Sequence, residues 1–214
     1  GCQQPVNHAD GERGATVTRI LTIPDVPDVV AETVADWQGA FDAVIVTGGL
    51  GGTHDDVTAD AIADALGSDL VVDPAVREDV LETIADYRDV DPATIDAAAV
   101  DLEIDAWAAL PADSRPLLNP AGLSPGFVLE NVYAFPGVPE EMRAVFEQVA
   151  TEFDGETVVA TVHTSWPEAS LIDPIAAVRE RFDVTVGSYP DVDSSNRIKV
   201  SGEDPAAVDA AIAS

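Results

Sequence analysis

Basic side chains are scarce in this sequence. Its 214 residues carry 10 Lys and Arg against 40 Asp and Glu, a formal charge of −30, and Lys199 is the one lysine. Phosphate-backbone recognition needs clustered cations, so no nucleic-acid partner is expected. Cysteine is equally short. Cys2 alone excludes a disulfide framework and any multi-cysteine zinc or iron–sulfur site. No apolar run approaches the roughly 20 residues of a membrane helix. Residues 1–12 hold neither the basic nor the apolar part of a signal peptide, and a cytoplasmic setting with no membrane partner is expected. Apolar residues, by contrast, make up 46% of the chain, enough for one large or two small cores and too many for a disordered acidic tail. The acid excess is spread along the whole chain. Molar salt shortens the screening length to about 3 Å and relieves such self-repulsion, so a halophilic cytoplasm is the expected habitat.

Periodicity gives the order of elements. Ala15 to Ile23 alternates apolar and polar residues and reads as a strand. Asp28 to Trp37 has helical spacing, and Ala43 to Val46 is a short apolar run of the kind buried on both faces of a sheet. Further along come a helix through Ala59 and Leu66, a strand Asp69 to Val72, a helix Pro74 to Tyr87, and an Ala-rich helical stretch Pro92 to Leu110. Strands Phe127 to Glu130 and Val132 to Phe135 precede a helix running to Phe153. This alternation predicts a wound, mostly parallel α/β sheet over Gly14 to Phe153. After a boundary at Asp154-Gly155, residues Glu156 to Ser214 read strand–helix–strand–strand–helix, with a polar hairpin loop at Asp191 to Asn196. That order predicts a ferredoxin-like α+β domain of roughly 60 residues, near the lower limit for independent folding.

Chemistry concentrates in Thr47-Gly48-Gly49-Leu50-Gly51-Gly52-Thr53-His54-Asp55-Asp56. The segment leaves a buried strand and enters a helix, where backbone N–H groups and the helix dipole can hold an anion. It is neither a Walker A loop nor a dinucleotide GxGxxG. Spacing alone leaves a second reading open: a tight turn with Thr53 as helix N-cap and Asp56 as its capping-box acid. On the functional reading, a phosphate beside Asp55 and Asp56 has no basic partner in the loop. A divalent cation must then bridge them, Mg²⁺ being the usual one and Mn²⁺ or Co²⁺ alternatives. Asp25, in Ile23-Pro24-Asp25, is a candidate third acid. His54 fits a phosphate or metal contact and a solvated loop residue about equally well.

These residues resemble the signature of the MoaB/Mog molybdopterin-binding fold, in the version found at the N-terminus of the CinA (competence/damage-inducible protein A) family. Asn119-Pro120-Ala121-Gly122-Leu123-Ser124-Pro125-Gly126 resembles that family's second loop, and Phe135-Pro136-Gly137-Val138-Pro139-Glu140-Glu141-Met142 its third. Gly187-Ser188-Tyr189-Pro190 and Asn196-Arg197-Ile198-Lys199-Val200 are similar to the small domain of archaeal stand-alone members. The resemblance implies a three-layer α/β/α domain followed by the small α+β domain. It implies binding of a phosphorylated pterin or nucleotide at these loops with a divalent metal. CinA-type relatives are associated with hydrolysis of ADP-ribose-like pyrophosphates, and similar domains are fused to FAD synthases. Mog-type relatives adenylylate molybdopterin or insert molybdate, and a binder without catalysis is the other alternative. Carried over, Asp56 is the metal- or substrate-directing acid, Asp25 the acid after the preceding strand, and Asn119, Pro120, Gly122, Pro136, Gly137 and Pro139 belong to the loops that close the pocket. Gly52 stands where many relatives have proline. Residues 1–12 lack the family's opening strand and Gly-Asp-Glu-Leu loop, which implies a truncated or altered start. A homo-oligomer, dimer or trimer, is expected. His163, Trp37, Trp107 and Trp166 are read as structural.

Overall fold

A computed structural model describes residues 15–95, 104–153, 155, 157–190 and 196–214. The atypical start, most of the 191–196 hairpin loop, Asp154 of the expected boundary and part of the Ala-rich stretch lie outside the described residues. The chain forms two compact units. One contains Ile20–Val149, the other residues 15–19 with Ala150–Ser214.

The first unit opens with α1 (Pro27–Gln38), β1 (Val44–Thr47), α2 (Thr58–Leu66), β2 (Leu70–Val72) and α3 (Pro74–Arg88). The short α4 (Ile104–Trp107) and strands β3 (Ala109–Pro111), β4 (Arg115–Leu117), β5 (Gly126–Leu129) and β6 (Val132–Phe135) follow, then α5 (Pro139–Phe146). Local signals set the helix ends. Asp73 caps α3 through its Oδ1, which accepts from Ala75 N at 2.9 Å and Val76 N at 3.0 Å, a cap worth about 1 kcal/mol. Gly67, at φ 66°, supplies the left-handed turn that ends α2.

The main sheet runs β1-β6-β5-β4. β1 pairs parallel with β6, but β6–β5 and β5–β4 are antiparallel. The expected mostly parallel sheet is thus corrected to a mixed one. The reason is local: β5 and β6 are joined by Glu130-Asn131 alone, with Glu130 at φ 53°, and two residues can only return a strand antiparallel. Alternate residues of these strands face opposite layers. Phe127, Leu129, Val132 and Ala134 join a core with Val30 and Val34 of α1, Ile62 of α2 and Val76 and Val80 of α3. On the other face, Phe135 stacks edge-on against Phe146 of α5, ring centroids 5.9 Å apart. This is the three-layer α/β/α domain.

Three expectations fail in detail. Residues 15–24 form no strand despite their alternation, and Val17, Ile20 and Leu21 are exposed. Leu110 is not helical. It pairs with Val71 in a separate two-stranded sheet, β2–β3, so the helical stretch ends at Trp107. The helix after Pro139 stops at Phe146, and Ala150–Phe153 is a 3₁₀ turn.

The second unit has β7 (Val158–Thr164), α6 (Ile172–Arg181), β8 (Thr185–Pro190), β9 (Asn196–Gly202) and α7 (Pro205–Ile212). β9 lies between β7 and β8, antiparallel to both, which is the split β-α-β of a ferredoxin-like unit. Val186, Val200, Val208 and Ala211 form its core with Ile175 and Val178 of α6.

Candidate functional site

The Gly-rich loop joins the C-terminal end of β1 to α2. Gly48 N–H donates to Phe135 O at 2.9 Å, extending the β1–β6 ladder into the loop, and Thr58 N–H closes it by donating to Gly49 O at 3.0 Å. Gly48 and Gly49 have φ of 93° and 66°, a region side chains rarely adopt. A Cβ on Gly49 would also lie 2.4 Å from Thr58 Oγ1. The Leu50 side chain is buried in the core, so its backbone alone can meet a ligand. Gly51 lies against the Asp56 carboxylate and Gly52 against the Trp107 indole, where a Cβ would stand 2.2 Å from Cδ1. Glycine at 52 is therefore a packing requirement of Trp107. The indole Nε1 is buried without a hydrogen-bond partner.

Thr53 to Asp56 form a self-bonded turn. Asp56 N–H donates to Thr53 O at 3.0 Å, and Thr53 N–H donates to Asp56 Oδ2 at 3.2 Å. The Thr53 hydroxyl faces both acids, Asp55 Oδ1 at 2.7 Å and Asp56 Oδ2, and its single proton serves two carboxylates. Half of a capping box is present, the Asp56 carboxylate accepting from Thr53 N–H, while Asp56 N–H goes to the Thr53 main-chain oxygen and not to its hydroxyl; it caps no helix, because α2 begins at Thr58 with Val57 as its N-cap. That reading is corrected: Thr53 and Asp56 shape the loop's outer turn. The Thr53 hydroxyl, with Asp55's own N–H and neighbouring His54, holds the Asp55 carboxyl below the usual carboxylate range. His54 is exposed on this turn.

The second and third loops meet the first through glycine contacts and one buried asparagine. A Cβ on Gly137 would stand 3.2 Å from Gly48 Cα, so the first and third loops touch backbone to backbone. Pro136 before it is buried, and Pro139 opens α5 at its first turn. Asn119 is 1% exposed. Its Nδ2 donates to Ser124 O at 2.7 Å and to Glu141 Oε2 at 2.7 Å, while its Oδ1 accepts from Ala121 N at 3.0 Å. Asn119 thus braces the loop, with its side-chain hydrogen bonds spent on the loop backbone and on Glu141 of α5. Gly122 leaves room for the Glu141 carboxyl, 2.4 Å from where its Cβ would be. Pro120 is exposed on the same loop. Below, Asp79 of α3 accepts from the Asn119 backbone N–H, and burial raises its carboxyl above the usual range, against that bond.

The three motifs therefore converge. Asp25 stands apart from them in its bonding: it is exposed in the bend before α1, with no hydrogen bond to the loop among the described residues. Sequence reading missed Glu141 and Asp79 as site-shaping acids. Glu141 was visible inside the third motif. Asp79 carried no signal, since only the fold brings α3 under the second loop.

A family model for a probable molybdopterin binding domain matches residues 8–154, and one for the FAD synthase middle domain matches residues 156–214. A protein of Archaeoglobus fulgidus is 35% identical over 201 residues, 93% of this chain and 81% of its own length. A CinA-like protein of Nostoc is 30% identical over 89% of this chain, which spans 46% of that relative. The crystal structure of the protein CinA with unknown function from Thermoplasma acidophilum superposes with a TM-score of 0.54 at 28% identity, covering 69% of this chain and 84% of that one. The chain belongs to the CinA-like branch of the MoaB/Mog molybdopterin-binding family. Within this CinA-like chain, the Gly-rich loop, the Asn119 loop and the Pro136–Pro139 turn form the shared edge of the molybdopterin-binding domain.

Proposed function

We propose that the chain binds the phosphate or pyrophosphate of a phosphorylated pterin or nucleotide at Thr47–Gly52. We propose further that it hydrolyses ADP-ribose- or FAD-type pyrophosphates with a divalent metal directed by Asp55 and Asp56. One observation carries the reading: a loop with its first glycines in the left-handed region leads from a parallel strand into a helix and ends on two carboxylates that share one hydroxyl proton. Backbone N–H groups suit the anion there. Among the described residues no three His, Cys, Asp or Glu side chains could hold a metal by themselves. Two carboxylates plus ligand phosphates are nonetheless a donor set that Mg²⁺ accepts, with water completing its shell. The residues fit a metal that arrives with the ligand. When bound, the metal would neutralise pyrophosphate charge. The match of the second domain to the FAD synthase middle domain favours a dinucleotide over a pterin. Hydrolysis adds water across the P–O–P link, so FAD and one water give FMN and AMP, with two protons released as both products become phosphate monoester dianions.

The test is AMP release from FAD and ADP-ribose by EDTA-stripped protein, alone and with Mg²⁺, Mn²⁺ or Co²⁺. Metal should be required. Asp56→Asn should lower turnover at least about tenfold while costing at most about 1 kcal/mol of stability. Ligand-induced stabilisation without AMP would make the chain a binder only, and AMP transfer from ATP to molybdopterin would make it an adenylyltransferase. Equal turnover in Asp56→Asn removes the metal-directing role. β1 is an edge strand among the described residues, which supports a dimer or trimer, readable by light scattering. The halophilic setting is checked by melting, which should rise from millimolar to molar KCl.

A further inference from the structure

The second unit holds a surface that the loop site does not use. Both its helices cover one face of the β7-β9-β8 sheet, where Ala160, Ile198, Val200 and Val186 point. The alternate residues point the other way. The register aligns His163, Arg197 and Tyr189 in one row across the three strands, and Thr161, Lys199 and Gly187 in the next. No residue of these strands is acidic, in a chain with 40 acids. The only lysine stands there two residues from an arginine. Neither cation has a carboxylate partner among the described residues, whereas Arg77 is paired with Asp105 at 2.8 Å.

The aromatic of the row is arranged as well. The Tyr189 ring lies over Gly187, where a Cβ would stand 2.9 Å from its Cε2. The Arg197 guanidinium is held 5.6 Å from the ring centroid, and Tyr189 is 47% exposed. Thr161 and His163 are exposed beside it.

We propose that this sheet face is a second anion-binding site, independent of metal, which takes the diphosphate of a nucleoside diphosphate group. Residues two apart on a strand are roughly 6.6 Å apart at Cα, so the flexible stems of Arg197 and Lys199 can converge on neighbouring phosphoryl groups. Arg197 supplies a planar fork and Lys199 a point charge. Thr161 and His163 add donors at the rim, and Tyr189 offers a flat surface to the adjoining ring system. Cations on the protein replace the metal that an acidic loop requires.

A single lysine makes the test direct. Protein labelled with ¹⁵N-lysine gives one backbone lysine resonance, Lys199, followed during titration with ADP in EDTA at the lowest KCl that keeps the fold. Saturable movement is expected with ADP and with inorganic pyrophosphate, and none with adenosine. Arg197→Gln should weaken the ADP response, and calorimetry on Arg197→Gln/Lys199→Gln should show a loss of about tenfold or more. Asp56→Asn should leave the Lys199 response unchanged, which separates this face from the loop. Three outcomes overturn the proposal: a resonance indifferent to ADP and pyrophosphate, an affinity unchanged in the double variant, or a ligand-free shift with protein concentration that the double variant abolishes. The last would assign the face to the acidic surface of a second copy of this chain.

Discussion

The two loop tips of the first unit are stabilised in opposite ways. The Thr53–Asp56 turn bonds to itself, with Thr53, His54 and Asp55 exposed. The Asn119 loop is braced from outside, by Glu141 of α5 and Asp79 of α3, around a side chain that is 1% exposed. A self-bonded surface turn can rearrange at little cost to the rest of the fold, whereas an externally braced loop moves only with the helices that hold it. The first is suited to meeting a ligand and its charge. On the proposed function, the second holds the neighbouring loop in place beside that ligand.

Breaking the brace should have the larger effect. Asn119→Ala strands the Ser124 carbonyl, the Ala121 N–H and one Glu141 oxygen together. Unpartnered buried groups cost about 1–3 kcal/mol each, with partial relief from water, so a loss of about 2–4 kcal/mol is expected. Urea denaturation checks it, and a change below about 0.5 kcal/mol would show that the brace is decorative.

The counterpart on the first loop is Thr53→Ala. It removes the hydroxyl that joins Asp55 to Asp56, but both carboxylates can turn to water. Stability should fall by no more than about 1 kcal/mol. The Asp55 carboxyl should rise towards its ordinary range, because the Thr53 bond is the largest cause of its depression. Carbon-detected NMR titration reads this directly. A large loss of stability would mean that the turn is structural after all.

Much of this division was legible in sequence, and the exceptions are physical. The Gly-rich, Asn119 and Pro136–Pro139 motifs announced three loops, and β1, α1, α2 and α3 followed from periodicity. The 15–23 alternation misled because a strand needs a partner ladder as well as a pattern. The capping-box spacing at Thr53 misled because Asp56 closes a turn on Thr53, its N–H bonding the Thr53 main-chain oxygen, five residues before α2 begins at Thr58. Strand β3 was hidden inside an Ala-rich run, since its pairing with β2 is a tertiary event. Asp79 lies 40 positions from Asn119 in the chain, and no local rule connects them.

The smallest effect sharpens the comparison through its sign. Asp55 of the first loop and Asp79 of α3, beneath the second, are displaced in opposite directions. For Asp79, burial raises the carboxyl, so the folded chain binds its proton more readily than the unfolded chain does. Its contribution is therefore fully present below the ordinary aspartate range and is lost as pH climbs through the raised folded value. Asp55 behaves inversely: its contribution is present above the ordinary range and fades as pH falls through the depressed value. Asp79→Asn keeps an oxygen able to accept the Asn119 N–H and removes the titration. Relative to wild type, the variant should gain stability steadily as pH rises from the ordinary aspartate range into the mildly acidic one. Urea midpoints of the two proteins across that interval measure the gap. A constant gap would mean that the Asp79 carboxyl ionises in the folded protein as freely as in the unfolded chain, and that the bond to Asn119 offsets its burial.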